Sequence, residues 1–139
     1  EIVLPEELSA GEGYGTVQWA IRSIYEGYTG WFRHSSTTEL YSYSPKTIFP
    51  ELNDLIEEEK ALNKIKDLIK KNEYFKAIHL CEIVISTDNN EKALKMYLKI
   101  HKILLKEAKK NSNRWIIKWL ECEIKETKNK LNESKKSST

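Results

Sequence analysis

The sequence predicts an all-α fold of antiparallel helical hairpins, tetratricopeptide-like, behind an irregular N-terminal arm. From Pro50 to Leu131 the apolar residues recur with the 3.6-residue period of a helix buried on one side. The periodic segments are separated by short polar breaks, Asn72-Glu73, Ser86 to Asn90 and Asn111 to Asn113, and helices joined so closely must run antiparallel to their neighbours. The stretch from Leu40 to Phe49 has some alternation, but it is short and interrupted by Pro45 and followed by Pro50, so no sheet is expected.

Three units follow from this pattern: residues 1–15 as an extended lead-in, 16–131 as the helical domain and 132–139 as a disordered tail. The opening Glu1-Ile2-Val3-Leu4-Pro5 has no initiator methionine and no signal-like segment, so the lead-in reads as a linker or the end of a preceding domain. Thr16 is a suitable N-cap for the first helix. Val17, Ala20, Ile21, Ile24 and Tyr28 form its apolar stripe, on which the rest of the chain is expected to pack. Gly27 and Gly30 loosen and end it, which leaves Trp31 and Phe32 just past the helix end. Residues 33–38 lack apolar side chains and predict a loop, and the aromatics that follow predict an ordered connection laid against the helices.

Pro50 suits a first helical turn, followed by Leu52, Leu55 and Ile56. The next faces are Ala61, Leu62, Ile65, Leu68 and Ile69, then Tyr74, Ala77, Ile78, Cys81, Val84 and Ile85. Leu94, Tyr97, Leu98, His101, Leu104, Leu105 and Ala108 make another, and Trp115, Ile116, Ile117, Trp119, Leu120, Ile124 and Leu131 the last. The segment from Asn72 to about Lys106 has the layout of one helical-hairpin repeat of roughly 34 residues, which needs flanking helices to bury its faces.

A chain of 139 residues is long enough for one domain with a core of its own. Lys and Arg total 23 against 21 Asp and Glu, a net charge of +2, which is too balanced to point to nucleic acid or an anionic membrane. No apolar run reaches the ~20 residues of a membrane span. Cys81 and Cys122 both lie in helical patterns and read as reduced core thiols, with a single bridge between them as the alternative.

No catalytic constellation is assembled. His34, His79 and His101 lack the spacing that brings two imidazoles to one metal, and His101 falls on an apolar stripe, as a core histidine does. Glu57-Glu58-Glu59 point in different directions on a helix and read as a solvated start. Gly11, Gly13 and Gly15 match no phosphate-binding loop. Read from its residues alone, the chain is a helical interaction domain with no catalytic and no metal residues.

Three motifs carry a resemblance. Gly15-Thr16-Val17, Arg22-Ser23-Ile24-Tyr25 and Tyr28-Thr29-Gly30-Trp31-Phe32 resemble the segment of metallo-β-lactamase-type alkyl sulfatases that leads from the metal domain into the dimerisation domain. Gly15, Thr16, Arg22, Tyr25 and Gly30 are the matching motif positions. Weaker similarity continues through Asn72-Glu73-Tyr74, Ala77, Asp88-Asn89, Ala93, Trp115 and Trp119-Leu120. The resemblance implies an all-helical dimerisation domain without catalysis of its own, and a homodimer. It also implies an upstream metallo-hydrolase domain, with zinc in that parent enzyme and none in this chain. The family's metal motif H-x-H-x-D-H is missing here, Trp19 stands near a family histidine, and Arg33-His34-Ser35-Ser36 replaces D-G-N-P.

On this basis Tyr28, Trp31, Phe32, Trp115 and Trp119 are the expected dimer or domain-packing residues. A peptide-binding module of tetratricopeptide type, using Asn72, Lys76 and Lys99 in one groove, is the alternative reading.

Overall fold

In the computed structural model the described residues are 15–29, 37–41, 43–110 and 113–136. They form α1 (Val17–Thr29), 3-10 turns at Thr37–Tyr41 and Pro45–Ile48, α2 (Phe49–Leu55), α3 (Glu58–Lys70), α4 (Tyr74–Val84), α5 (Glu91–Lys110) and α6 (Arg114–Lys136). Strands are absent among the described residues, as an all-α fold requires.

Polar side chains set the helix boundaries. Thr16 Oγ1 accepts from the Trp19 amide at 3.2 Å, Asn90 Oδ1 from that of Ala93 at 3.0 Å and Asn113 Oδ1 from that of Ile116 at 3.1 Å. Each satisfies a first-turn amide that has no partner within its helix. At the other end of α3, Asn72 has φ 59°, the left-handed conformation. The amide of Glu73 then donates to the Leu68 carbonyl at 2.9 Å and that of Asn72 to Ile69 at 3.1 Å. This is the paired closure that turns the chain sharply into α4. Tyr74 Oη donates to Asn72 Oδ1 at 2.6 Å and holds the turn from outside.

The core lies among α3, α4 and α5, which pack on one another, and α6 packs along α5. Ile65, Ala77, Cys81, Ala93 and Ile100 are fully buried in one cluster with Leu62, Leu68, Val84 and Tyr97. Ala77 and Ala93 bring their helix backbones close, a role that larger side chains cannot fill. Beside them Tyr97 Oη donates to Glu123 Oε2 at 3.1 Å, which joins α5 to α6. Buried His101 hydrogen-bonds the Tyr97 carbonyl through Nδ1 at 2.9 Å and lies 4.1 Å from the Tyr97 ring centre. A carbonyl only accepts, so Nδ1 carries the proton, and His101 is the hydrogen-bonded core histidine its stripe position predicts.

Several expectations are corrected. The chain does not pack around α1: no extensive contact joins it to another described element, and Ile21, Ile24 and Tyr28 are 42%, 62% and 89% exposed. Trp115 and Trp119, counted with the buried face of α6, are exposed, and Leu120, Ile124 and Leu131 fill that face. Those three lie about one helical step round from the tryptophans. Cys122 is an exposed thiol, whereas Cys81 is a buried one. Tyr41, Tyr43 and Ile48 of the connecting stretch are solvent-exposed. Its anchors are polar: Lys46 pairs with Glu82 at 2.7 Å, and in α2 Asn53 Nδ2 donates to Thr87 Oγ1 at 2.6 Å. Finally, α6 continues to Lys136, past Leu131, because a helix extends into water as long as no residue breaks it.

Candidate assembly surface

Trp115 and Trp119 stand one turn apart on α6, on the flank of its buried face. With Ile116 and Leu120 from the same helix and Trp19 from α1 they line an open groove of about 670 Å³. The tryptophans are 45% (Trp19), 61% (Trp115) and 68% (Trp119) exposed, while Leu120 forms a buried floor. No residue of this lining carries a charge. An apolar concavity walled by indoles is suited to receiving apolar side chains from another surface, and aromatic residues of this kind dominate the energetics of protein interfaces.

A second groove, of about 320 Å³, has the opposite chemistry. Lys95, Lys99, Lys102 and Lys106 line it with Leu98 and Ile103, all on α5. Lys95 is paired with Glu91 at 2.7 Å. Against a copy of itself this face would bring ammonium groups together, which opposes self-association.

The expected site residues divide accordingly. Trp115 and Trp119 come together with Trp19, whereas Tyr28 projects into solvent from the far end of α1. Gly15 and Thr16 sit at the start of α1, where a Cβ on Gly15 would meet the Trp19 ring at 3.6 Å, an ordinary contact. Arg22 and Tyr25 are exposed on α1. Gly30, Trp31, Phe32 and His34 lie outside the described residues. For the peptide groove, Asn72 accepts from Tyr74 and Lys76 pairs with Glu73. Lys99 instead belongs to the α5 groove, whose lining includes neither. Ile116 and Leu120 were legible only as core, and Trp19 only as a departure from a family motif. Its position off the apolar stripe of α1 was the one signal of a separate contact.

Nothing at the groove is poised for chemistry. Among the described residues no group of three or more His, Cys, Asp or Glu side chains is placed to hold a metal ion. Trp19 itself offers a ring without a ligating lone pair. Zinc therefore does not fit the described residues. His79 is exposed and faces Glu82 at 3.6 Å. Burial, and after it the charge of Glu82, pushes the Cys81 thiol up to about 12, so the thiol stays protonated and unreactive at neutral pH. No described helix is long and apolar enough to cross a membrane.

The described residues form an all-α helical module that carries an exposed, uncharged aromatic groove. Residues 1–127 match the sequence profile of the alkyl sulfatase dimerisation family, and the chain belongs to that family. The match begins at residue 1 and so takes in the segment read as a lead-in. No curated protein and no solved structure matches the chain.

Proposed function

We propose that this chain is the dimerisation module of an alkyl-sulfatase-like metallo-hydrolase, that it pairs with its own copy, and that it performs no catalysis alone. The observation that carries this reading is the uncharged groove of Trp19, Trp115 and Trp119, with two indoles more than half exposed. Family membership supplies the assembly role, and the groove supplies a surface that gains from being covered. A homodimer uses the same patch on both partners, so the patch must not repel itself, and the tryptophan groove meets that condition where the α5 lysine face does not. The parent reaction, hydrolysis of alkyl sulfate esters, would take place in a preceding zinc-binding domain.

Sedimentation equilibrium at micromolar concentration tests the pairing, and a strictly monomeric chain would refute it. Reading the coding sequence upstream for H-x-H-x-D-H tests the parent, and an upstream region of unrelated type would separate this module from sulfate-ester chemistry.

A further inference from the structure

We infer that the lysine face of α5 is a docking surface for an acidic amphipathic helix of another protein, laid along it with a row of carboxylates facing the lysines. The inference is independent of self-pairing, since this face shares no residue with the tryptophan groove.

Spacing is the first support. Lys92, Lys95, Lys99, Lys102, Lys106 and Lys109 are all exposed and recur at intervals alternating between three and four residues. At about 100° per residue they fall within an arc of about 100°, and the row runs for about 25 Å. Buried Ala93, Tyr97 and Ile100 occupy the opposite side of the helix. Alternating intervals of this kind mark a straight seam, the line along which a second helix lies.

Charge decides what that second helix carries. Elsewhere exposed lysines meet an acid one turn away: Lys60 with Glu57, Lys70 with Asp67 and Lys76 with Glu73. On α5, Lys95 and Lys109 have partners in Glu91 and Glu121. Among the described residues Lys92, Lys99, Lys102 and Lys106 make no ion pair. Like charges one turn apart repel along a helix, and a row of carboxylates relieves that repulsion. No described helix carries four acidic residues at this spacing, so the partner is not a described helix of a second copy.

Leu98 and Ile103 distinguish among anionic partners. They are half-buried, one on each side of the row, in the same shallow groove of about 320 Å³. The aliphatic flank of an amphipathic helix covers such residues, whereas a phosphate backbone leaves them wet. The groove holds no arginine, amide or hydroxyl side chain to clasp phosphate or read bases. Half-buried aliphatics recessed among lysines also cannot enter a bilayer as an interfacial anchor does.

Fluorescence anisotropy with the full chain tests the assignment. The probe is a labelled helical peptide of about 21 residues, with glutamates at alternating intervals of three and four and leucines flanking them. The expected result is micromolar binding that weakens as salt rises. Lys99→Glu with Lys102→Glu should weaken it at least about tenfold, and Lys99→Gln with Lys102→Gln about threefold, with unchanged circular dichroism. Absence of binding, or binding that neither pair of substitutions weakens, overturns the inference. So does equal binding of a peptide of the same composition with its glutamates dispersed around the helix. Tighter binding to duplex DNA or to phosphatidylserine vesicles would assign the lysine row to nucleic acid or membrane instead and refute the acidic helix.

Discussion

Replacing both Trp115 and Trp119 by alanine separates assembly from folding, because the two indoles do little in the single chain. Their exposures of 61% and 68%, applied to the ~250 Å² a tryptophan can bury, leave about 150 Å² apiece for a partner. At 25 cal/mol per Å² that area is worth about 4 kcal/mol for each ring, an upper bound before the costs of association. Truncation of a central aromatic anchor commonly costs 2 kcal/mol or more. The double variant is therefore expected to weaken the dimer by at least about 30-fold. Its chemical denaturation, followed at concentrations where both proteins are monomeric, should shift by no more than about 0.5 kcal/mol for each exposed site. Analytical ultracentrifugation over a range of loading concentrations reads the first quantity and urea unfolding the second. A double variant that dimerises as well as the parent, or one whose monomer unfolds several kcal/mol more easily, would refute the assignment of these rings to an interface.

Other predictions concern the helical body. Ile65 is fully buried at the centre of the core, so Ile65→Ala should lower the unfolding free energy by about 2–5 kcal/mol in urea titration, the range for cavity-forming truncations. Asn72→Ala should cost roughly 1–2 kcal/mol, because alanine resists the positive φ that closes α3, while Asn72→Gly should be close to neutral by thermal unfolding. Alkaline solution should weaken the fold. Burial holds the Cys81 thiol up to about 12 from an ordinary 9.0 and raises the Tyr97 phenol, which Glu123 raises further. Raised folded-state values mean that the unfolded chain loses these protons first, so their contribution to stability is complete below pH 9.0 and is lost as pH rises from there toward about 12. The melting temperature should fall across that interval, and less steeply in Cys81→Ala.

The helical body was legible because its sequence signals agree with one another. The stripes of α3, α4 and α5 are periodic, and the breaks between them hold Asn72, Asn90 and Asn113, residues that close or cap helices. At α1 and α6 the same rule misled. Periodicity marks an apolar face without saying which chain covers it, and Ile24, Tyr28, Trp115 and Trp119 are apolar at helical spacing yet exposed in the single chain. Trp19 stands off the apolar stripe of α1, and nothing local in the sequence pairs it with α6. The groove itself combines residues nearly a hundred positions apart in sequence, Trp19 with Trp115 and Trp119, and local pattern does not encode such a distance. The tail was misjudged for another reason: residues beyond Leu131 are polar, but polarity by itself does not stop a helix that has already formed.

Sedimentation equilibrium of the unmodified chain at micromolar concentration tests the central claim most directly. The mass of a dimer, about twice 16.3 kDa, falling toward that of a single chain on dilution, is the predicted result. A single 16.3 kDa species at every concentration would contradict it.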